Sequence, residues 1–196
     1  MNPVTHPRFH LTNNYERAVF LKGDEVGKPE QARYQWANDR LLGTSVLDLG
    51  CSSGFGAQFL TGAEEYLGLD YDPKIIEIAR EQQWHPGAVF EHASIYTYPL
   101  KYYDTIIAFE FIEHFDDGLE IMQRLKQHCA RLLITVPHNE TPGFWGEHHK
   151  LHGLTAEQFP GFEVAYTNMQ GAITSTPEVL TITNPANLML GQWTKE

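Results

Sequence analysis

Short apolar runs alternate with amphipathic stretches along most of this 196-residue chain. The runs end at a glycine, an acid or a polar turn, which is typical of buried strands, and the stretches between them have helical spacing. Strand-then-helix alternation predicts an α/β protein with a mostly parallel sheet and helices on both faces. The predicted strands cover residues 46–49, 66–69, 89–90, 105–109 and 131–136, and the predicted helices cover residues 29–43, 55–60, 73–82 and 117–127.

The two ends of the chain have different patterns. Residues 1–28 are punctuated by Gly and Pro and predict an irregular arm. The last forty residues are rich in strand-forming types, so we expect an antiparallel ending on the sheet. We expect one domain over residues 1–196, with an N-terminal arm and helix (1–44) and a core (45–196). The predicted C-terminal strands cover residues 162–166, 172–174 and 179–183.

Composition and charge narrow the expected partners. The formal net charge is −11, and residues 46–196 hold twenty acidic against eight basic side chains. Proteins that bind nucleic acids usually carry a basic patch, so a nucleic-acid partner is not expected. No apolar run reaches the ~18–20 residues that span a bilayer, and no secretory leader is visible, so no membrane partner is expected. Two cysteines make no disulfide framework, which favours a reducing cytoplasm.

A glycine-rich turn with the sequence DLGCSSG runs from Asp48 to Gly54, directly after the first predicted strand. Small residues here let a ligand approach the backbone at the carboxyl end of a strand, although an ordinary tight turn uses them too. Asp48 lies in an otherwise apolar strand, where its carboxylate needs a partner. Asp70 ends the second strand, the position from which a carboxylate grips a ribose diol. Asp48 would repel a pyrophosphate, which argues against a nicotinamide dinucleotide as the ligand.

These motifs together resemble the class I S-adenosylmethionine-dependent methyltransferases over roughly residues 40–170. DLGCSSG is similar to the first motif of that family, LGLD at 67–70 to its second, YDTII at 103–107 to its fourth-strand motif, and residues 132–137 to its fifth strand. Ser52 departs from the family, which usually has a glycine at that position.

The resemblance implies a Rossmann-like fold and S-adenosylmethionine as the cofactor. Backbone groups after the first strand would hold its methionine end, the acid after the second strand its ribose, and residues after the third strand its adenine. The implied cofactor-binding residues are Asp48, Gly50, Cys51, Gly54, Asp70, the adjacent Tyr71, Ala93, Ser94 and Ile95.

Acids and histidines follow the fourth predicted strand. Glu110, Glu113 and His114 would share one face if this segment were helical. They would then form half of a divalent-metal site or a general-base cluster, whereas a solvated acidic turn is the alternative. His149 and His152, three residues apart, could complete the site or could be surface residues of a polar loop. Six of the ten histidines lie between residues 114 and 152.

This cluster resembles ubiquinone-pathway and glycan-directed O-methyltransferases. With the later His-x-x-His it also resembles metal-dependent methyltransferases of the 3′-terminal ribose of small RNAs, which implies Mg²⁺ or Mn²⁺ on Glu110, Glu113, His114 and either His149 or His152. The aromatic segment that follows the histidine pair in that RNA family is absent here.

We therefore expect O-methylation of a small polar acceptor, such as a sugar, a glycan precursor or another hydroxylated metabolite. His114 is the expected catalytic residue, and the protein is expected to be a monomer or homodimer. Two alternatives stay open, namely metal-dependent 2′-O-methylation of a terminal RNA ribose and a non-catalytic module that binds S-adenosylmethionine.

Overall fold

The computed structural model describes residues 19–144, 147–177 and 188–195. The strands are β1 (Ser45–Leu49), β2 (Glu65–Asp70), β3 (Ala88–His92), β4 (Tyr103–Phe109), β5 (Cys129–Pro137), β6 (Glu163–Thr167), β7 (Ile173–Thr174) and β8 (Leu188–Thr194). The α-helices are α1 (Lys28–Asn38), α2 (Pro73–Gln82) and α3 (Gly118–Lys126), and short 3-10 helices cover Phe55–Phe59, Ile112–His114 and Ala156–Gln158.

These strands form one sheet in the order β3-β2-β1-β4-β5-β8-β6-β7. The first five pair in parallel, whereas β8 runs antiparallel to both β5 and β6. The carboxyl ends of β1 to β5 therefore lie along one edge of the sheet. The strand order reverses between β1 and β4, which is the point at which open α/β sheets bind their ligands.

Alternate residues of the central strands pack into two hydrophobic layers. Leu47 and Ile106 belong to one layer, and their neighbours Val46 and Ile107 belong to the other. Helix α3 covers the first layer, and helices α1 and α2 cover the second, so helices lie on both faces as predicted. The helical residues are Ile121, Met122 and Leu125 in the first layer and Tyr34, Trp36, Ala37, Ile76 and Ala79 in the second.

Helix α2 shows how local sequence sets an element. The side chain of Asp72 accepts a hydrogen bond from the backbone N–H of Lys74 at 2.9 Å, and Pro73 occupies the first turn. The helix ends at Gln82, as the apolar spacing predicts. None of the helices in the described ranges combines the length and apolar character that crossing a bilayer requires.

The differences from the predicted elements have local causes. The helix predicted over residues 55–60 is a short 3-10 helix over Phe55–Phe59. Strand β8 was not predicted, because its interior Gly191 is atypical of a strand. A Cβ at this glycine would lie 3.0 Å from side-chain carbons of Ile134 and Phe162, so the glycine permits close packing of β8. The strand predicted over residues 179–183 lies outside the described residues.

Candidate active site

A cavity of about 310 Å³ lies at the carboxyl ends of β1 and β2. This volume is within the usual range for small-molecule pockets. The wall contains six of the residues predicted to bind a cofactor, namely Gly50, Asp70, Tyr71, Ala93, Ser94 and Ile95. The rest of the wall was not predicted and is mostly apolar or aromatic: Leu49, Leu69, Tyr96, Phe111 and Phe115.

The carboxylate of Asp70 is buried and held in place by two backbone donors. Its Oδ2 accepts a hydrogen bond from the N–H of Ser52 at 3.2 Å, and its Oδ1 accepts one from the N–H of Asp72 at 2.9 Å. A carboxylate oxygen can accept more than one hydrogen bond. A fixed carboxylate at the cavity wall is therefore suited to bind a pair of neighbouring hydroxyl groups.

The turn after β1 requires unusual backbone conformations. Gly50 and Gly54 have φ values of 71° and 76°. Ser52 has a φ of 52°, and the methyltransferase family that this chain resembles usually has a glycine at its position. The N–H groups of Gly50 and Cys51 both donate to the carbonyl oxygen of Leu69, at 2.8 and 3.1 Å. These bonds fix the turn against the end of β2 and shape the cavity beside Asp70.

Cys51 and Gly54 are not among the cavity-lining residues. Cys51 is fully buried in the hydrophobic layer beneath α1 and α2. A Cβ at Gly54 would lie 2.6 Å from ring carbons of Phe90, so this glycine allows the turn to pack against β3. Both residues position the turn that carries the cavity wall.

Asp48 is not among the cavity-lining residues either. Its buried carboxylate is hydrogen-bonded to two tyrosine hydroxyls. Its Oδ2 accepts hydrogen bonds from the hydroxyls of Tyr66 at 2.6 Å and Tyr34 at 3.0 Å. Its Oδ1 has no hydrogen-bond partner within the described ranges. Burial raises the pKa of this carboxyl to about 7, although the two tyrosine hydrogen bonds oppose the rise. In this structure Asp48 connects α1, β1 and β2.

Glu110, Glu113 and His114 would share one face only if the segment after β4 were a continuous helix, and it is not. Glu110 has a φ of 48°, and only Ile112–His114 form a short 3-10 helix. The Glu110 carboxylate instead turns towards the neighbouring strand and α1. It accepts a hydrogen bond from Thr135 at 2.9 Å and lies 3.8 Å from the guanidinium of Arg33.

Glu113 is fully buried beside this network. Neither carboxylate oxygen has a hydrogen-bond partner in the described part of the chain. Burial, and then the nearby Glu110 carboxylate, raise the pKa of Glu113 well above its ordinary range. Its backbone carbonyl accepts hydrogen bonds from the N–H groups of Lys150 and Leu151, at 2.7 and 3.1 Å. Those bonds attach the later histidine-rich loop to the short 3-10 helix that follows β4.

Three histidines meet where this loop attaches. Nitrogen atoms of His114, His148 and His149 lie within 4.8 Å of one another. Oε2 of the buried Glu140 is 2.7 Å from Nδ1 of His149 and 3.9 Å from Nδ1 of His152. His114 and His149 were predicted site residues, and the structure brings them together. His148 was not predicted, although its place next to His149 in the sequence was a signal for it.

Known sequences that resemble this chain include methyltransferases. A family profile described as "Methyltransferase domain" matches residues 18–170. A probable S-adenosylmethionine-dependent methyltransferase of Mycolicibacterium smegmatis is 30% identical over 103 residues, which are 51% of this chain and 38% of that protein. The ubiquinone biosynthesis O-methyltransferase of Thiobacillus denitrificans is 28% identical over 121 residues, which are 58% of this chain and 47% of that protein. The chain thus spans less than half the length of these relatives.

Solved structures share the fold at low sequence identity. The methyltransferase domain of bacterial CtHen1 matches with a TM-score of 0.60 and 17% identity, covering 84% of this chain and 98% of that one. Magnesium protoporphyrin IX methyltransferase from Synechocystis, solved with bound S-adenosylhomocysteine, matches with a TM-score of 0.56 and 17% identity, covering 83% of this chain and 80% of that one. These matches confirm the predicted Rossmann-like fold.

Proposed function

The chain belongs to the class I S-adenosylmethionine-dependent methyltransferases, and we propose that it transfers the methyl group of that cofactor to a hydroxyl group of a small polar acceptor. The observation that carries the proposal is the cavity at the carboxyl ends of β1 and β2, with Asp70 in its wall. The cavity occupies the switch point of the sheet, where a ligand is expected on topological grounds.

The residues of the cavity fit S-adenosylmethionine by their chemistry. The carboxylate of Asp70, held by two backbone N–H groups, would accept hydrogen bonds from both ribose hydroxyls. Ala93, Ser94 and Ile95 would line the adenine together with the Phe111 ring. The backbone at Gly50 would face the methionine end. When bound, the cofactor supplies a methyl group activated by a sulfonium, so the protein must chiefly align the acceptor.

The acceptor side of the proposal rests on His114. In the sequence this residue follows Phe111 and directly precedes Phe115, which both line the cavity, whereas His114 itself is not among the lining residues. A neutral imidazole has one nitrogen lone pair, which can either take the proton of an acceptor hydroxyl or hold a metal ion that acidifies that hydroxyl. Both roles favour oxygen as the methylated atom. Arg33, Glu110 and Thr135 form a polar network that would help position a hydroxylated acceptor.

Methylation of a terminal RNA ribose is the second candidate. The observation that favours it is the meeting of His114 with His149, two of the four residues that the resemblance to RNA methyltransferases assigns to a metal. The other two are Glu110, whose carboxylate contacts Thr135 and Arg33, and the buried Glu113. Residues 46–196 hold more acidic than basic side chains, which would repel the phosphates of an RNA acceptor, so we rank this candidate second.

An assay with methyl-labelled S-adenosylmethionine tests the proposal. The purified chain is incubated with monosaccharides, phenols or short RNA, and labelled product is measured for wild type, His114→Ala and the control His128→Ala. We expect label on a hydroxylated small molecule, and we expect His114→Ala to reduce it at least tenfold while His128→Ala does not. Label on RNA alone would support the second candidate. Cofactor binding without transfer to any acceptor would contradict the proposed reaction.

A further inference from the structure

We propose that His114, His148 and His149 form a three-nitrogen site for a borderline transition-metal dication such as Zn²⁺, with Glu140 as the outer partner of His149. A nitrogen atom of each ring lies within 4.8 Å of a nitrogen of the other two. The ring centroids of His148 and His149 are 4.6 Å apart, and that of His114 is 5.3 and 4.9 Å from them. The three rings are therefore neighbours, and because the planes of His114 and His148 are nearly parallel, at 17°, one side chain must turn to direct both nitrogens to one ion.

Glu140 determines which nitrogen of His149 is available. Its Oε2 lies 2.7 Å from Nδ1 of His149, and both side chains are buried. A carboxylate without a proton can only accept, so facing it the His149 ring would donate from Nδ1, and the tautomer with its hydrogen on Nδ1 keeps the lone pair on Nε2. A histidine that donates from one nitrogen to a carboxylate and coordinates through the other is the common outer-shell arrangement of metal sites.

The loop that carries two of the histidines is held in place by backbone hydrogen bonds. The N–H of Asn139 donates to Leu154 at 2.8 Å, and the N–H of Gly153 donates to Glu140 at 2.8 Å, which close the base of the loop. The two bonds to the carbonyl of Glu113, the residue before His114, attach the loop beside the third histidine. The backbone segments that carry the three imidazoles are thus held together by the fold itself, which reduces the ordering that metal binding requires.

The donor set indicates the class of metal. Imidazole nitrogens suit Zn²⁺, Co²⁺ and related ions, whereas Mg²⁺ prefers oxygen ligands. In the described ranges, the donor atoms grouped within 4.8 Å are the three imidazoles and include neither Glu110 nor Glu113. The Glu110 carboxylate is bonded to Thr135 and faces Arg33. The inferred site therefore differs from the Mg²⁺ or Mn²⁺ site expected from the sequence.

Three protein ligands leave a fourth position of a tetrahedral ion for an exchangeable oxygen. In a methyltransferase this position would take the acceptor hydroxyl, a part of the inference that rests on the proposed function. The metal site itself does not depend on methyl transfer, so the two can be tested apart.

Cobalt and zinc titrations test the site. The chain is stripped with a chelator, dialysed and titrated with CoCl₂, with visible absorption as the readout, and bound zinc is counted by elemental analysis after dialysis against ZnCl₂. We expect one metal per chain, visible bands typical of tetrahedral Co²⁺, displacement by Zn²⁺ and no displacement by excess Mg²⁺. His148→Ala and His149→Ala should each weaken binding at least tenfold, Glu140→Gln should weaken it about 10- to 100-fold, and the control His128→Ala should leave it unchanged.

Binding of S-adenosylhomocysteine to the same samples separates the two proposals, because its cavity does not include the histidines. A variant that still binds this ligand is folded, so a loss of metal affinity in that variant can be attributed to the missing side chain. If His149→Ala does not fold, the half-buried His148 provides the test. Absence of a bound metal in the wild type, unchanged affinity in His148→Ala, or displacement of Co²⁺ by Mg²⁺ would overturn the metal site and leave the cofactor assignment intact.

Discussion

The backbone N–H of Ser52 donates a hydrogen bond to Oδ2 of Asp70 over 3.2 Å. This bond connects the turn after β1 to the acid that ends β2, so the conformation of a single turn orients the carboxylate in the cavity wall. Ser52 makes the bond from a left-handed conformation, with a φ of 52°, that glycine adopts far more readily.

Ser52→Gly is expected to stabilise the protein. Glycine would remove the left-handed strain and keep the N–H that binds Asp70, although it adds entropy to the unfolded chain. Relief of about 1–2 kcal/mol of left-handed strain exceeds an entropic cost of about 0.5–1 kcal/mol. The net gain in the free energy of unfolding should therefore be about 0.5–1 kcal/mol, measured by urea denaturation, with unchanged affinity for S-adenosylhomocysteine. Ser52→Ala keeps the strain and should show no gain. Equal stabilities of the two variants would contradict the strain at this position.

Gly50→Ala is expected to impair the cavity more than it impairs the fold. An added Cβ would lie 3.0 Å from Cδ2 of Phe111, a wall residue. Gly143→Ala is the matched control, because Gly143 also has a positive φ, of 81°, and a Cβ there would meet no atom of the described residues within 4 Å.

Both alanine variants should lose about 1–2 kcal/mol of stability through backbone strain. Only Gly50→Ala should weaken binding of S-adenosylhomocysteine, by about tenfold, measured by calorimetry. Equal affinity of the two variants would show that Gly50 does not contribute to the binding surface.

Asp48→Asn is expected to change how stability depends on pH. The pKa of Asp48 is raised from 3.8 to about 7 in the folded protein, so between these values the unfolded chain has already lost a proton that the folded chain keeps. Asp48 therefore contributes stability that is fully present below pH 3.8 and is lost as the pH rises to about 7. An amide has no such titration.

The stability of the wild type relative to Asp48→Asn should thus fall by a few kcal/mol between about pH 4 and pH 7, measured by urea denaturation at each pH. The control Asp39→Asn changes an exposed residue at the end of α1, and its free energy of unfolding should depend on pH as that of the wild type does. If the difference in free energy of unfolding between the wild type and Asp48→Asn did not change with pH, the raised pKa of Asp48 would be disproved.

An RNA gel-shift experiment tests the expected absence of a nucleic-acid partner. Twenty acidic against eight basic side chains in residues 46–196 should repel phosphates, so a labelled oligonucleotide should migrate freely at low salt. A shifted band that weakens as salt is added would show that the protein binds RNA, and methylation of a terminal RNA ribose would then become the first candidate function.

Part of the wall of the cavity at the carboxyl ends of β1 and β2 could be predicted from the sequence because strand order places its parts together. In a parallel sheet the residues after β1, β2 and β3 reach the same edge, so Gly50, Asp70 and Ser94 become neighbours once the strands are recognised. Asp48 shows the limit of this reasoning. Its burial required a partner, but the hydroxyls of Tyr34 and Tyr66 reach it through packing between α1 and the sheet, which spacing along the chain does not encode.

The histidine cluster was predicted only in part for a similar reason. Helical spacing grouped Glu110 with His114, but the left-handed backbone of Glu110 directs its carboxylate to Thr135. His148 joins the site because a loop is attached to the carbonyl of Glu113. Such backbone bonds between distant segments leave no periodic signal in the sequence.

Calorimetric titration of S-adenosylhomocysteine into wild type, Asp70→Ala and Asp39→Ala tests the central claim most directly. If Asp70 holds the ribose of the cofactor, the wild type and Asp39→Ala should bind one equivalent with equal affinity. Asp70→Ala should bind at least tenfold more weakly, since it loses charge-assisted hydrogen bonds to both hydroxyls. Unchanged affinity in Asp70→Ala, or no binding to the wild type, would contradict the account.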